Sequence, residues 1–87
     1  MTIWKFPIPI ENEFAIEMPS GSRILHVATQ RGEPCLWACV NPDAQRVKVH
    51  FYLRGTGHPM GNANPEGHVG SFLMADDGLV FHLFKQG

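Results

Sequence analysis

Five histidines are the residues most able to do chemistry in this chain. His58 and His68 fall in a glycine-rich stretch, and His26, His50 and His82 fall in strand-like runs. Three histidines brought together can hold a catalytic zinc. The chain has no His-Glu-x-x-His and no Cys-x-x-Cys to set such a geometry. No metal is therefore expected. His58 reads as a brace for the turn around Gly55 and Gly57, and His26 and His82 read as core histidines with satisfied hydrogen bonds. Gly55-Thr56-Gly57-His58 could present backbone donors to a phosphate. No Lys-Ser/Thr follows and no helix starts there, so the glycines are better read as serving a turn. Cys35 or Cys39 beside a histidine would form a nucleophile and base pair. Both cysteines fall in a strand-like run, where buried thiols are inert. No catalytic residue and no cofactor are expected.

A row of side chains is the stronger surface signal. Arg46, Lys48, His50, Tyr52 and Arg54 alternate with Val47, Val49, Phe51 and Leu53. On a strand they form one face about 27 Å long. Arg and Tyr are enriched where partners bind tightly. These five residues, with His58, are the expected partner-binding set. A protein partner is expected. Nucleic acid is the less favoured partner, because a second stacking aromatic is missing from the row.

The elements that must position these groups are strands. Period-two patterns recur, and no stretch sustains a 3.6-residue period. Ile3–Ile8 places Trp4, Phe6 and Ile8 on one face. Pro7 and Pro9 make it an edge strand, where a second copy could pair. Glu13–Met18 turns Phe14, Ile16 and Met18 inward. Residues 24–40 hold two apolar runs around Arg31-Gly32-Glu33-Pro34, a hairpin with a longer loop. Cys35, Trp37 and Cys39 alternate with Leu36, Ala38 and Val40, which predicts a central strand covered on both sides. The same is predicted for 79–85. Residues 55–70 hold five of the nine glycines, so a long loop is expected there. Asp76-Asp77-Gly78 marks a tight hairpin. The expected core is Trp4, Phe6, Ile16, Leu25, Val27, Leu36, Trp37, Val49, Phe51, Leu53, Phe72, Leu79, Phe81 and Leu83.

Eighty-seven residues make one domain, 1–87. The fold class expected is all-β, a small antiparallel sandwich or half-open barrel of six to seven strands. Charged residues make up 17% and the net charge is -1, so bulk charge does not select a polyanion. The first ten residues lack the pattern of a signal peptide, and no apolar run reaches the roughly 20 residues of a membrane helix. Cys35 and Cys39 share a strand face about 13 Å apart, beyond the reach of a disulfide. A soluble protein in a reducing compartment is expected.

At Trp4-Lys5-Phe6, Met18-Pro19-Ser20-Gly21, Ile24-Leu25-His26-Val27, Pro34-Cys35-Leu36-Trp37-Ala38, Gly55-Thr56-Gly57-His58 and Leu79-Val80-Phe81-His82-Leu83-Phe84, the chain resembles a family of short uncharacterised phage and prophage proteins. The resemblance runs nearly end to end. It implies a phage or mobile-element origin and an all-β domain, and it carries over no enzymatic activity. Taken with the reducing compartment, the expected location is the host cytoplasm. Two features depart from the family pattern: the two cysteines and the length of the 55–70 loop.

The expected function is a small non-catalytic accessory protein that binds and occludes a host or phage macromolecule, with host defence components among the candidates. Two alternatives compete with it. One is a metal- or nucleotide-dependent enzyme built on the His58 loop. The other is a virion or assembly component that forms homo-oligomers through the Trp4 edge.

Overall fold

The computed structural model describes residues 1–74 and 78–87. Its seven strands are β1 (Thr2–Pro7), β2 (Glu13–Pro19), β3 (Arg23–Gln30), β4 (Glu33–Val40), β5 (Arg46–Gly55), β6 (His68–Met74) and β7 (Leu79–Lys85). One short 3-10 turn, Pro65–Gly67, precedes β6. The strands form two antiparallel sheets, a three-stranded one ordered β1-β4-β3 and a four-stranded one ordered β2-β5-β7-β6. The expected all-β class and the edge position of β1 are both found. Among the described residues the sheets do not close into a barrel.

Alternation builds the core. Leu36, Ala38 and Val40 point inward from β4 and are fully buried. They meet Phe51 and Leu53 of β5, Leu83 of β7, and Phe14 and Met18 of β2. Trp4, Phe6 and Ile16 pack against this centre. The two sheets come closest along β3 and β6. There Thr29 donates its hydroxyl to the Leu73 carbonyl at 2.7 Å. Gly70 lies against Val27 with no room for a side chain between them.

Several expectations are corrected. The β3–β4 connection is a two-residue turn rather than a longer loop: Gln30 pairs with Glu33, and Arg31 and Gly32 both have positive φ, 52° and 80°. That is the φ pattern of a type I′ turn, whose twist matches the strands. β6 begins at His68, so the preceding loop is shorter than 55–70. The expected Asp76-Asp77 turn lies outside the described residues, while Gly78 has φ 66°.

Leu25 is 50% exposed and leaves the expected core. A bulge between Ile24 and His26 pushes it out of register. Leu79 is 51% exposed because it starts its strand at the sheet's end. Trp37 belongs to the outer face of β4 and is half-buried. β4 is thus not covered on both sides by layers of structure. Its outer side chains are shielded only by cross-strand neighbours. β7 is covered outward at Phe84 alone, where the loop before β6 lies over it.

Candidate functional site

The predicted row on β5 is divided by the fold. Arg46, Lys48 and His50 are exposed. Their register neighbours on β2 are Pro19, Glu17 and Ala15. Arg46 reaches over the end of the sandwich, its guanidinium 5.2 Å from the Trp4 ring centroid. It also donates to the carbonyls of Pro42 and Ala44. Tyr52 is buried instead of exposed. It sits with Phe84 and Ala63 in a small second core, closed by Met60. Arg54 is spent on structure: Nε donates to the Met60 carbonyl at 3.0 Å, and Nη1 to the carbonyls of Asn12 and Leu53. Two of the five residues, Tyr52 and Arg54, therefore hold down the loop between β5 and β6. The reason is local. That loop is a chain of tight turns with bonds from His58 N–H to Gly55, Ala63 N–H to Met60, and Gly67 N–H to Asn64. It folds back over the sheet and covers two aromatic rings that would otherwise meet water.

His58 is exposed and its ring lies against Gly55. It braces the turn, as the spacing of the glycines suggests. It also lines shallow clefts, one with Asn12, Arg54 and Pro59.

The structure joins histidines that spacing alone does not. Antiparallel register places His82 between Arg54 on β5 and Ser71 on β6. His68 Nε2 lies 2.9 Å from Ser71 Oγ. Ser71 Oγ lies 2.8 Å from His82 Nδ1, and His82 Nε2 lies 2.8 Å from Thr56 Oγ1. These four side chains form one continuous hydrogen-bonded line on the outer face of the four-stranded sheet. His82 therefore belongs to this polar line and not to the core. The line places a hydroxyl beside an imidazole, the first requirement of nucleophilic chemistry. His58 is not part of it. Among the described residues, no three His, Cys, Asp or Glu side chains are grouped to hold a metal ion.

The outer face of the three-stranded sheet is the second candidate surface. Trp37 is centred on it, directly opposite Lys5 on β1 and His26 on β3. The His26 and Trp37 rings are 5.7 Å apart and tilted by 36°. Cys39 lies between Ile3 and Arg23. Lys5 Nζ donates to Gln30 Oε1 at 2.9 Å. That bond runs from β1 to β3 across the central strand, over Cys35. Cys35, flanked by Pro7 and Ala28, is buried on this face although no other layer covers it among the described residues. Ile3 is 61% exposed.

A family model described as a domain of unknown function (DUF7352) matches residues 1–87. The chain belongs to the DUF7352 family. No curated protein and no solved structure matches it. Among the described residues of this DUF7352 domain, no helix is long and apolar enough to cross a membrane.

The sequence reading missed two features of the site. Thr56, Ser71 and His82 lie 11 to 26 positions apart and meet only through strand register. The open face around Trp37 was hidden because both faces of β4 are apolar in sequence. The cations flanking it, Lys5 and Arg23, were the available signal.

Proposed function

We propose that this DUF7352 domain is a small non-catalytic accessory protein of phage or prophage origin. It binds and occludes a macromolecule in the host cytoplasm, with host defence components among the candidate targets. The origin rests on the family resemblance of the motifs from Trp4 to Phe84. One observation carries the binding reading: the outer face of the β1-β4-β3 sheet is left open with Ile3, Leu25 and His26 exposed around a half-buried Trp37. Apolar and aromatic side chains gathered on an open face of a small protein mark an interaction surface. Aromatic side chains are also those that dominate binding energy. The exposed Arg46, Lys48 and His50 form the competing contact surface on the other sheet.

Affinity capture from host lysate tests the reading and separates the two surfaces. The wild-type domain is compared with Leu25→Glu and with an Arg46→Glu, Lys48→Glu double variant. One dominant macromolecule, lost on Leu25→Glu and kept by the double variant, is the expected result. Capture lost only in the double variant moves the site to the β5 row. If nothing is retained, or if neither variant changes retention, the binding reading falls.

A further inference from the structure

We propose that the outer face of the β1-β4-β3 sheet binds single-stranded nucleic acid. This rests on the reading that the open face is the contact surface, and it names the occupant. Charge selects the occupant. The three strands and the turn between β3 and β4 carry Lys5, Arg23 and Arg31 against a single acid, Glu33. The other seven of the eight acidic residues all lie elsewhere in the chain. In a chain of net charge -1, the strands and turn of this sheet thus carry a net charge of +2. Among the described residues the Lys5 ammonium is hydrogen-bonded to a neutral amide alone, that of Gln30, so its charge stays available to a phosphate.

The aromatic groups fit the same ligand. Trp37 on the central strand and His26 on the adjacent edge strand form neighbouring ring platforms. The bulge before His26 also turns Leu25 outward beside them. Aromatic rings on a sheet face, flanked by cations that follow the backbone, are how sheet proteins hold unpaired bases. A duplex hides its base faces and cannot use the rings. The eight-residue central strand is about 26 Å long, enough for a run of about four nucleotides. In this arrangement bases stack on Trp37 and His26, and phosphates meet Lys5, Arg23 and Arg31.

Fluorescence anisotropy with a fluorescein-labelled oligo-dT of 15 residues, its RNA counterpart and a 15-base-pair duplex tests this across a salt series. The expected result is binding to single strands in preference to duplex. Lys5→Ala and Arg23→Ala should each flatten the log-log salt dependence by about 0.7. His26→Ala and Trp37→Ala should weaken binding about tenfold while leaving the salt slope unchanged. Circular dichroism confirms folding, and His26→Ala and Leu25→Glu keep the test in force if Trp37→Ala does not fold, each expected to weaken binding. Three results overturn the proposal: no single-strand binding at low salt, binding indifferent to all four alanine variants, or equal affinity for duplex. If oligonucleotides fail while a lysate protein is captured and lost on Leu25→Glu, the occupant is that protein and only the binding reading survives. If light scattering shows a dimer abolished by Leu25→Glu, the occupant is a second copy and the nucleic-acid assignment is wrong.

Discussion

Gly70 on β6 lies directly against Val27 on β3, so close that a Cβ at position 70 would stand 2.6 Å from two Val27 carbons. This contact joins the sheets along the edge where they approach most closely. Its demand on residue 70 is steric and not conformational, because Gly70 is not among the glycines with positive φ. Gly70→Ala should therefore destabilise the domain by about 1 to 3 kcal/mol through overpacking. Urea unfolding measures it. Val27→Gly removes both colliding carbons, Cβ and Cγ2, so the double variant should be more stable than the sum of the single effects. Strictly additive losses would show that the edge contact is not what excludes a side chain.

Arg54 should matter for the loop and not for partner contact. Its guanidinium bonds to carbonyls of Met60, Asn12 and Leu53. Arg54→Met leaves these carbonyls without their charged donor and should cost about 1 to 3 kcal/mol. Hydrogen exchange should speed up at Ala63 and Gly67, whose amides close the loop turns. Arg46→Met removes a cation above Trp4 and the donors to the Pro42 and Ala44 carbonyls, all at an exposed site, and should cost less than about 1 kcal/mol. Equal losses from both would show that the two arginines are structurally equivalent.

Arg31 holds φ 52° beside Gly32 at φ 80°. A non-glycine residue in the left-handed region is strained, and Asn tolerates that region best. Arg31→Asn should raise stability by up to about 1 kcal/mol, and Arg31→Val should lower it, both read from thermal or urea midpoints. The same Arg31→Asn variant should bind single-stranded oligonucleotides with a flatter salt dependence if Arg31 meets a phosphate. Stability and affinity would then move in opposite directions in one variant.

What the sequence discloses follows from how one-sided each strand is. β5 alternates cleanly, so its inward Val49, Phe51 and Leu53 are readable by period two. Pro7 and Pro9 reveal the edge position of β1, because they lack ladder donors. β4 is apolar on both faces, and period two then gives no sign of which face meets the other sheet. That is why Trp37 reads as core. The tight β3–β4 turn is hidden because Arg is not a residue expected at positive φ. The grouping of His68, Ser71 and His82 depends on a bulge between His68 and Gly70 that resets the register of β6. No local pattern announces that bulge. Tyr52 and Arg54 look like surface because no local pattern shows that the loop following β5 folds back over them.

The cysteines should differ in reactivity although they share a strand face. Cys35 is buried beneath the Lys5–Gln30 bond, and Cys39 is half-buried at the end of the face. Cys39 should react first with a thiol reagent such as DTNB, and Cys35 should react slowly. Lys5→Ala removes the crossing side chain and should accelerate Cys35 alone. Equal rates in the wild-type domain would mean that the Lys5–Gln30 bond does not persist in solution.

The line from His68 to Thr56 has a direction that hydrogen-bond accounting fixes. The Thr56 hydroxyl lies 3.4 Å from the Val80 carbonyl, which can only accept. With Thr56 donating there, its oxygen accepts from His82 Nε2–H. His82 Nδ1 is then the acceptor for the Ser71 hydroxyl, and Ser71 Oγ accepts from His68 Nε2–H. Both neutral imidazoles are therefore expected as Nε2–H tautomers. Long-range nitrogen-proton NMR correlation at alkaline pH distinguishes the two ring nitrogens. Thr56→Val should remove the acceptor of the His82 Nε2–H and let the Nδ1–H form appear, with Ser71 then accepting from Nδ1. Ser71→Ala should leave His82 locked by Thr56 but free His68. A wild-type spectrum showing both tautomers of His82 would mean that the line is not held in solution, and the nucleophile and base geometry at Ser71 would lose its footing.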